Sequence, residues 1–174
     1  MFKLQKELIR MDEIFKRVSI RKYEDKAVEP EKVEQILRAA MAAPSAGNQQ
    51  PWEFYVVTDP QIIKQLSECS PYAGCAAKAP AVLVPCYRTS GLRFPEFDLI
   101  DLSIATENAL LKITSLGLGG VWLAIAPLKE RVEKADSVLG IGTELHAFAL
   151  VPFGYPAEDR KQEDRFKPER VHYL

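Results

Sequence analysis

"ENALLKITSLGLGGVWLAIA" (Glu107–Ala126) is the stretch on which the fold turns. Its first half has helical spacing, with Ala109, Leu110, Ile113 and Leu116 recurring every three or four residues. The pattern runs back through Ala105, Ile104, Leu102, Ile100, Leu99 and Phe97, which predicts one long helix over 95–117, apolar on most sides. Such a helix must be covered on more than one side. In a chain of 174 residues, that means a central position or a partner subunit. "LGLGG" (Leu116–Gly120) then reads as a helix stop and "VWLAIA" (Val121–Ala126) as a strand. The order matters, because a dinucleotide-binding fingerprint requires strand, glycines, then helix. Here the glycines follow a helix and precede a strand. "GIG" (Gly140–Gly142) lacks a third glycine and reads as a turn, and there is no Walker A loop.

Working outward, Pro30, flanked by Glu29 and Glu31, opens a helix through Val33, Ile36, Leu37, Ala40 and Met41 that stops before Pro44. "WEFYVV" (Trp52–Val57) is a strand, Asp59-Pro60 begins a short helix, and "AVLVPCY" (Ala81–Tyr87) is a buried strand. Pro127 to Leu139 is a further helix and "HAFALVPFGYP" (His146–Pro156) the last core strand. Near the start, Leu4, Leu8, Met11, Phe15 and Val18 predict a helix ending near Arg17, followed by an extended "SIRKYEDKAV" (Ser19–Val28). Helices and strands interleave with long, irregular connections. That favours a three-layer α+β or α/β arrangement without fixing strand direction. The expectation is one domain over 1–174, its tail from about 157 to 174 extended and charged until "VHYL".

Bulk properties exclude several classes. With 47% hydrophobic and 27% charged residues the chain is globular in composition, neither disordered nor fibrous. A net charge of -1 and a pI of about 6.2 leave no global field to recruit nucleic acid, so any anion site must arise by local clustering. No apolar run reaches the ~18 residues of a membrane span. The amphipathic N-terminus carries Glu7, Asp12 and Glu13, unlike a secretory or transit segment, and is read as a mature helix. Cys69, Cys75 and Cys86 are odd in number and lack C-x-x-C spacing, so no disulfide framework is expected and a cytoplasmic location is the default. His146 and His172 are far apart and away from any cysteine, which leaves no zinc spacing, and no nucleophile elbow is present. His146 reads as structural; Glu107 and Asn108, set in an apolar helix, require hydrogen-bond partners.

Three stretches could hold a ligand. In "KRVSIRKY" (Lys16–Tyr23) an extended backbone puts Arg17, Ser19 and Arg21 on one face, and two guanidinium forks around a hydroxyl suit a phosphate. A solvated basic patch at a helix C-terminus is the plainer reading of that stretch taken alone. "DRFKPERVHY" (Asp164–Tyr173) repeats the spacing with Arg165 and Lys167, kept extended by Pro168. A floppy terminus would look the same, but the apolar end could dock and bring these cations to Arg17 and Arg21. "PSAGNQQPW" (Pro44–Trp52) offers small residues that admit a flat ligand, with Asn48 and Gln50 able to donate and accept; alone, it is also an ordinary polar turn.

"RVSIRKY", "APSAGNQQPWEFYVV", "ENALLKITSLGLGGVW", "VPFGYP" and the basic-Pro tail, in that order, closely resemble the nitroreductase family of FMN-dependent oxidoreductases. The resemblance covers about Met11 to Tyr173. It implies an α+β, three-layer α/β/α homodimer around a central, mainly antiparallel sheet, with two FMN sites in the subunit interface. It places Arg17, Val18, Ser19 and Arg21 on the FMN phosphate and ribityl chain, joined by Arg165 and Lys167. Pro44, Ser45, Ala46 and Asn48 would reach the same flavin from the other subunit, and the backbone of Trp122, Leu123, Ala124 and Ile125 would line an edge of the ring. The implied activity is ping-pong hydride transfer from NAD(P)H to nitroaromatics, quinones or similar small acceptors, with no catalytic side chain and no metal. Reductive dehalogenation, flavin transformation, or flavin binding with little turnover are the alternatives. The sequence departs from some branches of the family. Leu123-Ala124-Ile125 stands where some place an acid, "SPYAGCAAKAP" (Ser70–Pro80) where others have an amide, and Arg88 to Phe94 is too short for a helical lid.

Overall fold

A computed structural model describes residues 13–174. In chain order the helices and strands are α1 (Glu13–Lys16), α2 (Pro30–Met41), β1 (Trp52–Val57), α3 (Pro60–Ser67), β2 (Ala81–Arg88), α4 (Asp98–Ser115), β3 (Gly119–Gly120), β4 (Leu123–Ala124), α5 (Lys129–Leu139), β5 (Leu145–Ala147) and β6 (Ala149–Gly154). The expected apolar face through Leu4, Leu8 and Met11 lies outside the described residues. Phe15, the next member of that series, is exposed on α1.

The layers follow from the alternation of β2. Ala81 and Leu83, with Val151 and Phe153 of β6, pack on Ile36 and Ala40 of α2 and on Ala109, Leu110 and Ile113 of α4. Val82, Val84 and Cys86, with Ala147 and Leu150, face the other way onto Ile63 and Leu66 of α3 and Val132 and Ala135 of α5. A sheet covered by helices on both sides results: α+β in class, three layers deep. The strands lie in the order β1-β2-β6-β3, with β4 also on β6 and β5 on β2, and every strand pair is antiparallel. Asp59 caps α3 by accepting from Gln61 N (2.7 Å) and Ile62 N (3.4 Å).

Two predicted strands are interrupted, each at a proline. "VWLAIA" is not one strand over 121–126; pairing occurs at Gly119–Gly120 and again at Leu123–Ala124. Both pieces keep one register on β6, since Gly120 faces Phe153 and Leu123 faces Leu150. The gap falls opposite Pro152, which has no N–H to give the ladder. "HAFALVPFGYP" likewise divides at Phe148 into β5 and β6. Cys86 pairs with Ala147 and Leu83 with Val151, so three residues oppose two. That is a β-bulge, and Pro85 sits against it, offering only its carbonyl to Phe148 N at 2.9 Å. A proline in the middle of a central strand is tolerated there because the bulge removes the need for its N–H.

Candidate functional site

The glycines that end α4 do more than stop it. Gly117, at φ +73°, caps the helix. A Cβ on Gly119 would stand 2.6 Å from the Ile20 side chain, so only glycine lets the segment after α1 lie against the sheet. Ile20 N donates to Gly120 O (3.0 Å) and Ser19 forms a parallel bridge with Gly120. Tyr23 fastens the other end, its one O–H shared between Ile20 O (2.7 Å) and Pro152 O (3.0 Å). Burial pushes that phenol well above its ordinary range, so it stays a donor. Held this way, Ile20 points into the core while Arg17, Ser19 and Arg21 remain available on the outside.

The start of the tail folds onto the same segment. Glu24 N donates to Tyr155 O and Ala157 N to Lys22 O, both at 2.9 Å. Glu158 Oε1 then accepts from Arg21 N (2.6 Å) and Lys22 N (3.2 Å). The first of these contacts holds its carboxyl below the usual value. Arg17, Val18, Ser19, Arg21, Arg160, Gln162 and Arg165 enclose a cavity of about 210 Å³. Four arginines lining one small cavity are chemically suited to an anion. Arg17 is also paired with Glu107 on α4, Nε to Oε1 3.3 Å. Burial pushes the Glu107 carboxyl up, and Arg17 counters it. The cavity thus brings together Arg17, Val18, Ser19, Arg21 and Arg165, and Arg160 and Gln162 with them. Lys167 is exposed and does not line it. The final "VHYL" is exposed on this chain.

The second element is the loop after α2. Gly47, Asn48 and Gln50 have φ of 55°, 56° and 47°, so two non-glycine residues adopt the left-handed conformation within one short loop. That is backbone strain, and the surroundings over-determine it. Asp101, buried in α4, accepts from Ala46 N (3.0 Å) through Oδ1 and from the Gln49 amide (2.8 Å) through Oδ2. Gln49 also donates to Phe94 O (3.0 Å) and accepts from Phe94 N (2.9 Å). Arg88 donates to the Gln50 carbonyl (2.9 Å), and Ser45 Oγ accepts from Gln50 N (3.0 Å). Gln49 is consumed as the anchor, whereas Pro44 and Asn48 are exposed and Ser45 and Ala46 half-buried. None of these four lines the arginine cradle of its own chain.

Trp122 is half-buried against Phe148, ring centroids 5.3 Å apart, while the Leu123 and Ile125 side chains are core. Only backbone and the exposed Ala124 face outward there, and Ala124 O accepts from Arg131 (3.1 Å). Between β2 and α4 the described chain forms one 3-10 turn, Pro95–Phe97, and no lid helix. Glu107 and Asn108 have the partners their setting required, Asn108 donating to Ala39 O (3.3 Å). His146 is structural, its Nδ1 2.7 Å from Asp136 Oδ2, which joins β5 to α5. Among the described residues no group of histidine, cysteine and carboxylate side chains could hold a metal ion. Nor is any described helix long and apolar enough to cross a membrane. Asp101 was the residue that sequence reading missed. Its signal was the one applied to Glu107, a carboxylate inside an apolar helical run.

Comparison with known proteins draws these elements together. The Nitroreductase family model matches residues 14–71 and 70–155. A protein of Archaeoglobus fulgidus, described as an NADH dehydrogenase/NAD(P)H nitroreductase, is 40% identical over 163 residues, covering 91% of this chain and 94% of its own. A solved structure from Clostridium acetobutylicum, described as an NADH oxidase, superposes with a TM-score of 0.90 at 42% identity, over 92% of this chain and 98% of its own. Another, from Desulfovibrio desulfuricans, described as a nitroreductase and solved in complex with FMN, has a TM-score of 0.82 at 28% identity over 94% of this chain and 95% of its own.

Proposed function

Because the chain belongs to the nitroreductase family, we propose that it is an FMN-dependent NAD(P)H oxidoreductase whose flavin is seated on the arginine cradle. The gathering of Arg17, Arg21, Arg160 and Arg165 around Ser19 supports this reading most directly. A phosphate monoester carries nearly two negative charges at neutral pH, and a cluster of guanidinium forks meets it with charge-assisted, paired donors. The residues fit such a group. Arg17, Val18, Ser19, Arg21 and Arg165 would hold the phosphate and adjoining chain, and the backbone of Trp122, Leu123, Ala124 and Ile125 would line the ring edge. Pro44, Ser45, Ala46 and Asn48 would reach it from the second subunit of a homodimer.

Bound there, FMN would supply the hydride chemistry of a ping-pong exchange between NAD(P)H and a nitroaromatic, quinone or similar acceptor. The protein contributes position. Asp101 and Arg88 fix the small-residue loop, Gly119 and Tyr23 fix the phosphate-binding segment, and the surface between β2 and α4 carries no helix to screen the acceptor side. No side chain is assigned as acid, base or nucleophile. Initial-rate measurements with NADH or NADPH against a quinone or nitroaromatic acceptor test the mechanism. Parallel double-reciprocal lines are expected, and intersecting lines would exclude ping-pong turnover.

A further inference from the structure

The geometry points to Arg160 as a ligand of the flavin phosphate, closing the cradle from the same chain that supplies Arg17 and Arg21. This rests on the FMN reading above. Arg160 matches none of the motifs that carried the family resemblance, yet it lines the cavity with Arg17, Ser19, Arg21 and Arg165. Its place is fixed rather than incidental. The preceding residues are pinned by Ala157 N to Lys22 O and by Glu158 to Arg21 N and Lys22 N. Arg160 Nη1 itself donates to Ser19 O at 3.3 Å, spending one of five N–H donors and leaving the rest of the fork for an anion.

Charge balance gives Arg160 its role. Arg17 is already paired with Glu107, so part of its charge is answered within the protein. Arg21 and Arg165 remain, and a dianionic phosphate in their midst is better matched with a third free guanidinium. Glu158 Oε1 is taken up by the Arg21 and Lys22 N–H groups rather than by the Arg160 guanidinium, although the charges of Glu158 and Arg160 still attract. Lys167, by contrast, is turned out of the cradle.

Full-length protein freed of flavin is titrated with FMN and with riboflavin, which lacks the phosphate, for the wild type, Arg160→Gln, Arg160→Lys and Lys161→Gln. Lys161 is the exposed neighbour and does not line the cavity, so its loss removes the same charge from the same segment. The expected result is an about fivefold loss of FMN affinity in Arg160→Gln, the upper range for an exposed charge pair. Riboflavin affinity stays unchanged, Arg160→Lys recovers part of the loss, and Lys161→Gln keeps the wild-type FMN-to-riboflavin ratio. An unchanged ratio in Arg160→Gln, or equal losses for both flavins, would overturn the assignment while leaving the FMN reading intact. A wild type that takes up neither flavin would overturn the FMN reading itself.

Discussion

Asp101 shows how one buried side chain can hold a site it does not touch. Its two oxygens are divided between the Ala46 N–H and the Gln49 amide, so both are committed to the loop. Asp101→Ala takes the acceptor from the Ala46 N–H and from one N–H of the Gln49 amide, whose other N–H keeps Phe94 O, and removes charge-assisted contacts worth about 1.5–3 kcal/mol each before relaxation. Urea unfolding should show a loss on that order, and FMN affinity should fall with it. Unchanged flavin affinity in a folded variant would mean that the loop does not reach a flavin. Gly47 makes the same point sterically. A Cβ there meets the Phe94 ring at 2.7 Å, at a φ of +55° that costs a side chain ~1–2 kcal/mol. At this scale the sequence was informative where chemistry is local. Asn108 in an apolar helix demanded a partner and has one. Which of Ser45, Asn48, Gln49 and Gln50 faced outward was not legible, because it depends on Asp101 and Phe94, which join the loop from some fifty residues away in the chain.

Among the elements, helices and strands were read correctly where periodicity was uninterrupted, as for α2, β1, α3, β2 and α4. The misread boundaries lie where tertiary pairing overrides a continuous apolar run. Val121–Ala126 and His146–Pro156 both look like single strands, and only the partner strand reveals that Pro152 and Pro85 interrupt the ladder. The tail is the element whose fate the sequence left most open. Its first part is latched by Glu158, whose carboxyl is held below its ordinary 4.5 chiefly by the Arg21 N–H. A carboxyl lowered on folding contributes above its unfolded value and loses that contribution as pH falls through the folded one. The latch is therefore intact at neutral pH and opens on acidification below 4.5. Flavin release followed against pH should show an acid component in the wild type that Glu158→Gln lacks, with weaker FMN retention in that variant at neutral pH. Identical acid profiles would remove the latch from the account. Gly119→Ala tests the opposite side of the same segment. Its Cβ displaces Ile20, and with it Ser19 and Arg21, so FMN affinity should drop even though no charge is lost.

At the scale of the molecule, the long apolar helix is the feature the sequence made plainest. Its buried face carries Leu102, Ala105, Ala109, Leu110 and Ile113, yet Ile100 is 55% and Ile104 37% exposed on this chain, beside Phe97 at 41%. An exposed apolar ridge one turn apart on a central helix suits an association surface, and it lies on the helix that also anchors the 45–50 loop through Asp101. The homodimer proposed above would cover this ridge and deliver that loop to the partner's flavin. Ile100→Glu with Ile104→Glu should yield monomers in sedimentation velocity that no longer retain FMN. Monomers with full flavin content would separate dimerisation from the site. The most direct test of the central claim is anaerobic mixing of the purified, flavin-loaded protein with NADH and, separately, NADPH. The absorbance of oxidised flavin should bleach with at least one donor and return when a quinone or nitroaromatic is added after the donor is spent. A protein that takes up no FMN, or a bound flavin that stays oxidised with both donors, would contradict it.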